Sequence, residues 1–595
     1  MDVSALVRQA ERECAAGRFG PAEDLLSRAL RSRPDHLHAL AVLGLLHQAR
    51  GEFEAMEGVA RRAMEAWPDR STGRVLLAEA LTPRGRLEEA AAALGPITRG
   101  PGALPLACCK LADVLTRLGR FSEALARCAE WIERWPEDAV VRFPLCDTLS
   151  RMGEGPGLVG ALREGVARFP GHQPLRRWMA SAALYEETPD GDLLALARSH
   201  AALIERGVSP AALRRRARTG PIRVGFLSGD LRTHSVTYFL RPLLEGLDRS
   251  RFWCSCYHTG GREDAVSERL RGLVACWRRC ERLGDEQLAA AIRADGLDVL
   301  VDLAGVGTGS RPGVIARRCA PVQATFLGYP GTTGLGAMDV RIVDSTTDPL
   351  HSESSCSERL SRLDPCFLCY RPWEDLPPPG RAGGREPVTF GSFNSPLKVS
   401  GRTVALWSGV LSAVPKSRLL LKGSGQEFAE ARERLVSAFE AKGVERSRLE
   451  MVGQTPGVRE HLEHYGRVDV ALDTYPYQGT TTTCEALVMG VPVVVRVGDS
   501  HRSRVGLSIL KAVGQAGFAA ESDVGYIETA RSLANDADLR QRLRSEGPDG
   551  LRAGVLGSAL CDAGAYARRF ESLLGSLVDG DPGTGTLSAP GSEVR

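Results

Sequence analysis

Residues 475–487 read Tyr475-Pro476-Tyr477-Gln478-Gly479-Thr480-Thr481-Thr482-Thr483-Cys484-Glu485-Ala486-Leu487. The run follows an apolar stretch of strand character, residues 468–473, and opens into a helical pattern. At such a junction four hydroxyls and the unpaired amides of a first helical turn point outward, which makes an anion site. A diphosphate fits these donors, and Glu485, one turn into the helix, is placed to accept hydrogen bonds from a ribose. The plainer alternative is a helix capped by threonine. Four consecutive β-branched residues, however, lower helix propensity with no return unless their hydroxyls are used.

Other candidates are weaker alone. In Phe393-Asn394-Ser395-Pro396-Leu397-Lys398, which follows a strand pattern at residues 388–393, the lysine can neutralise a leaving diphosphate, and its pairing with the threonine run lifts it above an ordinary surface lysine. Ser228-Gly229-Asp230-Leu231-Arg232-Thr233-His234-Ser235 follows the first strand of an earlier half and brings His234 to the same cleft. Cys366 and Cys369 form a lone CxxC with no second ligand pair, so they read as small buried apolar residues. The Asp-x-Asp pairs Asp190/Asp192, Asp536/Asp538 and Asp579/Asp581 fall in expected loops or tail, and no metal site is expected from them.

These residues need a sheet to position them. Strand patterns at 222–227, 297–303 and 322–327 alternate with helical ones, such as 285–295, across residues 221–375. A Pro/Gly-rich linker at 376–386 separates this half from a second, residues 387–575, with strand patterns at 388–393, 418–422, 449–452, 468–473 and 491–495. That alternation implies parallel, doubly wound sheets, hence two Rossmann-like lobes facing a cleft. Residues 576–595, rich in Gly, Ser, Pro and Asp, are expected to be disordered.

The first third has another period. Gly17-Arg18-Phe19, Gly51-Glu52-Phe53, Gly85-Arg86-Leu87 and Gly119-Arg120-Phe121 recur every 34 residues, and Gly153 continues the register. Pro34, Pro68, Pro136 and Pro170 keep the same phase, with Pro101 one residue early. Ala22, Leu25, Leu26 and Ala29 lie on one helical face between the markers. Glycine at the turn between two helices and proline after the second is the tetratricopeptide pattern. Residues 1–185 are therefore expected to form an α-solenoid whose concave face binds protein, and 186–220 a helical connector ending in the basic stretch 211–219.

Composition narrows the partners. A net charge of +3 over 595 residues, with the arginines dispersed, gives no footprint for nucleic acid. With 43% hydrophobic and 25% charged residues and no apolar run near the roughly 18 needed to span a bilayer, a globular protein with no membrane partner is expected. Fifteen scattered cysteines and an N-terminus without a signal peptide's apolar core point to a cytoplasmic, reducing location.

The segments Thr233-His234-Ser235-Val236, Ala320-Pro321-Val322-Gln323, Gly328-Tyr329-Pro330-Gly331-Thr332-Thr333-Gly334, Gly391-Ser392-Phe393-Asn394 with Lys398, and 479–485 together resemble the protein O-linked N-acetylglucosamine transferase and SPINDLY family. Members join tetratricopeptide repeats to a two-lobed catalytic region of GT-B type. The resemblance implies an inverting, metal-free transfer of a sugar to Ser or Thr of a protein held by the repeats. It implies Lys398 at the diphosphate, Thr480, Thr481 and Thr482 at the phosphates, Glu485 at the ribose, His461 stacked on the base and Asn394 in the nucleotide-sugar site. His234 matches an acceptor-side histidine, a general base or positioning group. Two positions depart: Asp298, where the N-acetylglucosamine transferases often have histidine, and Val306, where SPINDLY-like members usually do. The implied donor is UDP-N-acetylglucosamine. The alternatives are GDP-fucose, because the threonine run is closer to SPINDLY, and an inactive repeat scaffold.

Overall fold

A helix that must turn back on itself within two residues needs a left-handed residue at its end, and only glycine adopts that conformation without strain. In the computed structural model, which describes residues 2–100, 102–213, 220–372, 376–380 and 387–580, Gly17, Gly51, Gly85, Gly119 and Gly153 all lie at φ between 73° and 75°. Each separates a helix pair: Val3–Ala15 and Phe19–Ser32, Leu37–Arg50 and Phe53–Ala66, Ser71–Leu81 and Leu87–Leu94, Pro105–Arg117 and Phe121–Arg134, Phe143–Met152 and Gly155–Arg168. Pro34, Pro68, Pro136 and Pro170 each stand two residues beyond the second helix of a pair, where they block its continuation. Ala22, Leu25, Leu26 and Ala29 are buried, and the small alanines let neighbouring helices approach closely. The repeat array expected from the 34-residue period is present. By packing, the chain divides into two units, Met1–Ala161 with Phe428–Ala431, and Leu162–Glu427 with Arg432–Arg595.

The second unit begins with helices Gln173–Ala182 and Asp190–Glu205. Its first sheet orders seven strands β3-β2-β1-β4-β5-β6-β7: β1 Ile222–Ser228, β2 Phe252–His258, β3 Cys276–Arg279, β4 Val299–Asp302, β5 Val322–Phe326, β6 Val340–Val343 and β7 Arg359–Arg362. The second sheet orders six, β10-β9-β8-β11-β12-β13: β8 Thr389–Ser392, β9 Arg418–Lys422, β10 Leu449–Val452, β11 Val470–Leu472, β12 Val493–Arg496 and β13 Ala519–Ala520. Every pairing is parallel. Strand order reverses between β1 and β4 in one lobe and between β8 and β11 in the other, and ligands bind such sheets beyond the strand ends at these switch points.

Several expectations need correction. Asp190 and Asp192 are not in a loop but in the first turn of Asp190–Glu205, where their charge faces the helix N-terminus favourably. Asp536 likewise caps the helix Ala537–Arg544, with Asp538 in its first turn. The expected tail is too long at its start, because the helix Ala563–Asp579 runs through residues 576–579 and buries Leu574 and Leu577. That helix belongs to the second half of the sequence yet packs on the first lobe, donating Tyr566 Oη to the Phe367 carbonyl at 2.6 Å and placing Ala567 against Gly246. Asp581 and the rest of the tail, residues 381–386 of the expected linker and 214–219 of the basic stretch lie outside the described residues. The described part of the linker is pinned: the carbonyls of Pro377 and Pro379 accept hydrogen bonds from Arg552 and Arg544.

Candidate functional site

The site in the second lobe is organised by a carboxylate. β11 ends at Leu472, so Asp473 stands at the carboxyl edge of the sheet, fully buried, at the β8/β11 switch point. Its Oδ1 accepts the amides of Thr474 at 2.8 Å and Gly479 at 2.7 Å, and Asn394 Nδ2 at 3.2 Å. Its Oδ2 accepts Thr483 Oγ1 at 3.5 Å. These bonds close the segment 474–479 into a loop. Burial pushes the Asp473 carboxyl up to about 6, against the lowering effect of its amide donors and Lys398. Gly479 has to be glycine, because a Cβ there would lie 2.5 Å from Thr482 Oγ1 and 3.0 Å from Asn394 Oδ1.

From that loop springs the helix Thr481–Val488. Its N-cap residue, Thr480, makes no side-chain cap bond, so the first-turn amides are not closed off by their own threonine. The hydroxyls divide. Thr482 donates to Asn394 Oδ1 at 3.0 Å and Thr483 turns inward to Asp473, so the outward set expected from sequence loses Thr483.

Lys398 enters from the short turn Pro396–Lys398 after β8. Its Nζ donates to the Gln478 carbonyl at 2.8 Å and sits 4.0 Å from the centre of the Tyr477 ring. Burial pulls the ammonium down to about 8, partly offset by Asp473. Of the three N–H groups on Nζ, one goes to Gln478, which leaves two for an incoming anion.

The remaining residues lie one strand further out. Lys422, at the end of β9, donates to His461 Nδ1 at 2.9 Å. An ammonium only donates, so Nδ1 is the acceptor and His461 Nε2–H donates to Glu485 Oε2 at 3.1 Å. The His461 ring packs edge-on against Phe393, 5.7 Å between centres, and against Tyr465 at 5.8 Å. Glu485 thus has one oxygen committed within the protein. Asn394, Lys398, His461, Thr480, Thr481, Thr482 and Glu485 all belong to segments at the carboxyl edge of β8 and β11 or next to it. Asp473 and Lys422, not singled out from sequence, complete the set.

The first lobe repeats part of this design. Asp302 ends β4 at the other switch point, buried, and accepts the amides of Ala304 at 3.3 Å and Gly305 at 2.8 Å. Burial pushes its carboxyl up to about 7. His234 is the N-cap of the helix Ser235–Gly246, with Nδ1 accepting the Val236 amide at 3.3 Å and Nε2 3.9 Å from Asp230. Desolvation lowers its pKa, with Asp230 opposing, so the imidazole is neutral near pH 7. Asp298 precedes β4 at the amino edge of the sheet, where its carboxylate accepts the Arg223 amide at 2.8 Å; it is a strand-pairing residue away from the switch point. Val306 is buried, and its carbonyl accepts Ser181 Oγ at 3.2 Å. In the loop 328–334, the buried Glu358 accepts Thr332 Oγ1 at 2.6 Å and the Thr333 amide at 2.7 Å.

The two lobes are joined by polar contacts: the buried His501 Nδ1 with Asp348 at 2.5 Å, the buried Ser508 Oγ donating to Asp344 at 2.5 Å, and the half-buried Arg504 Nε donating to the Thr346 carbonyl at 2.7 Å. Cys366 and Cys369 are buried, with thiols pushed up to about 12 by desolvation, which leaves them uncharged. Among the described residues no three His, Cys, Asp or Glu side chains are grouped to hold a metal ion. No described helix is long and apolar enough to cross a membrane.

The family model described as glycosyl transferase family 41 matches residues 202–371 and 384–568. The chain is 37% identical over 371 residues to a protein of Solanum lycopersicum described as probable UDP-N-acetylglucosamine–peptide N-acetylglucosaminyltransferase SPINDLY, covering 61% of this chain and 39% of that one. It is 36% identical over 358 residues to the protein of the same description in Arabidopsis thaliana, covering 59% and 39%. The chain thus matches about two fifths of the length of these curated relatives. Among solved structures, a mutant of Thermobaculum terrenum O-GlcNAc transferase superposes with a TM-score of 0.68 at 28% identity, covering 97% of this chain and 98% of that one.

Proposed function

Because the chain belongs to glycosyl transferase family 41, we propose that it transfers a sugar, N-acetylglucosamine from UDP-N-acetylglucosamine, to a Ser or Thr hydroxyl of a protein, with inversion at the anomeric carbon. The acceptor oxygen bonds to that carbon from one face while the bond to the β-phosphate oxygen breaks on the other. The hydroxyl proton leaves to solvent, and the electron pair leaves with the nucleoside diphosphate. Charge therefore grows on the diphosphate, and the protein's largest contribution is to counter it in place.

The observation that carries this reading is the position of Lys398 Nζ, held on the Gln478 carbonyl at the β8/β11 switch point beside the uncapped start of Thr481–Val488. Thr480 and Thr481, with the first-turn amides, serve the phosphates beside Lys398. Thr482 steadies Asn394 in the nucleotide-sugar pocket. Glu485 keeps one oxygen for the ribose, while His461, held by Lys422 and Glu485, presents its ring to the base. His234 serves the acceptor side. With Nδ1 taken by the Val236 amide, its Nε2–H makes it a hydrogen-bond donor that positions the acceptor. This charge balance involves no metal, because both Asp473 oxygens are engaged and the counter-charge comes from Lys398 and backbone dipoles. The repeats hold the acceptor protein, in the cytoplasm.

The names of the relatives support UDP-N-acetylglucosamine as donor and a peptide as acceptor. A donor panel tests it: the purified chain is incubated with UDP-N-acetylglucosamine, UDP-glucose, UDP-galactose and GDP-fucose, and nucleoside diphosphate release is followed. UDP release from the first is the expected result. Turnover of GDP-fucose alone would replace the donor, and turnover of none would leave the repeat scaffold as the function.

A further inference from the structure

Two tyrosines far apart in sequence meet beside Lys398. Tyr185 lies in the short turn Ala183–Tyr185, directly after the helix Gln173–Ala182, and its ring centre is 5.1 Å from that of Tyr477 with the planes tilted by 31°. Tyr477 is the ring on which the Lys398 ammonium rests at 4.0 Å. Both tyrosines are half-buried.

The backbone closes this contact into a ring of bonds. Lys398 Nζ donates to the carbonyl of Gln478. The Gln478 amide donates to the carbonyl of Arg502 at 3.0 Å. The buried Arg502 guanidinium then donates to the carbonyls of Ala183 at 3.0 Å and Thr188 at 2.6 Å, on either side of Tyr185. The Gln478 side chain is immobilised as well, donating to the Arg496 and Ser503 carbonyls at 2.6 and 2.7 Å and accepting the Gly506 amide at 2.8 Å. The main chain at 477–478 is therefore rigid, and the Tyr477 ring keeps a torsional freedom that its neighbours must remove. A lysine has four rotatable bonds, and one hydrogen bond alone does not fix its ammonium at the point where phosphate charge develops.

We propose that Tyr185 is a positioning residue for Lys398, acting through Tyr477: its ring braces the Tyr477 ring, and that ring and the Gln478 carbonyl together hold the ammonium on the diphosphate. The inference rests on the assignment of Lys398 to the diphosphate made above. It gives the turn after Gln173–Ala182, otherwise a connector, a part in the donor site.

The test is a double-mutant cycle on the full chain, with UDP and GDP titrated calorimetrically and the nucleoside diphosphate that binds then compared with its own nucleoside. Lys398→Ala should weaken diphosphate binding about tenfold or more and leave the nucleoside unchanged. If it does not, the assignment of Lys398 falls, and the role of Tyr185 with it. Given that effect, Tyr185→Leu should weaken diphosphate binding about fivefold in the parent, the upper end of the scale for an exposed cation–π contact, and by less than about twofold in the Lys398→Ala background. Tyr185→Phe, which keeps the ring, should match the parent. Equal weakening in both backgrounds, loss of nucleoside binding alongside, or no weakening in the parent would overturn the inference while leaving Lys398 in place. Should Tyr185→Leu fail to fold, Tyr477→Leu takes its place in the same cycle, with the same dependence on Lys398 expected.

Discussion

Replacing Lys398 by alanine removes the ammonium held on the Gln478 carbonyl beside the start of Thr481–Val488, the cation proposed to meet the leaving diphosphate. Its ammonium keeps two N–H groups after donating to Gln478, and it sits in a half-buried place where water screens it poorly. Two unit charges about 4 Å apart at an effective dielectric near 20 interact by about 4 kcal/mol. Loss of a single preorganised donor at a developing oxyanion costs about 3–4 kcal/mol, or roughly 10²–10³ in kcat. The two figures agree, so a fall of about 10²–10³-fold in nucleotide release is expected, with the unfolding midpoint preserved. Lys398→Arg should recover little, because a planar guanidinium does not fit a point-charge site against Tyr477. The pH profile supplies an independent reading. Burial lowers the ammonium from its usual value near 10.5 to about 8, and the protonated form is the active one. kcat/KM should therefore fall as pH rises through about 8, earlier than for an exposed lysine, and the residual rate of Lys398→Ala should lack that limb. A variant that keeps half the parental rate, or a parental profile flat to about pH 10, would refute the assignment.

Three other perturbations probe separate parts. Thr480, Thr481 and Thr482 changed together to Val should weaken nucleoside diphosphate binding, whereas excess EDTA should leave turnover unchanged; inactivation by EDTA with recovery on adding magnesium or manganese would reverse the reading. Deletion of residues 1–170 should spare donor hydrolysis and abolish modification of a folded protein acceptor, measured by sugar incorporation. Asp473→Ala strands the buried amides of Thr474 and Gly479 at about 1–3 kcal/mol each, so a loss of roughly 2–6 kcal/mol is expected in denaturant unfolding. A loss under about 1 kcal/mol would mean that the loop finds other partners.

The repeats were legible because a 34-residue step with glycine at each turn has a local cause, the left-handed residue that five consecutive turns require. The threonine run was legible because its composition contradicts helix propensity, which points to a use for the hydroxyls. Strands were legible where they carry a continuous apolar run, as Leu419-Leu420-Leu421 in β9 and Val493-Val494-Val495 in β12. β2, reading Phe-Trp-Cys-Ser-Cys-Tyr-His, and the arginine-bearing β3, β6 and β7 carry no such aliphatic run, and their polar residues are paired or sheltered only by the rest of the fold. Asp473 was hidden for a related reason: its role depends on a loop returning to it at Gly479. Lys422 and Tyr185 act on residues 39 and 292 positions away, His461 and Tyr477, and no local pattern marks such pairs.

The proposed activity places a sugar from a nucleotide donor on protein hydroxyls through the switch-point site of the second lobe. Peptide mapping by electron-transfer mass spectrometry, after a protein acceptor has been incubated with the full chain and UDP-N-acetylglucosamine, tests it most directly. N-acetylhexosamine is expected on Ser or Thr side chains, and its loss with Lys398→Ala. An acceptor left unmodified while UDP is released, or modified equally by the Lys398→Ala variant, would contradict it.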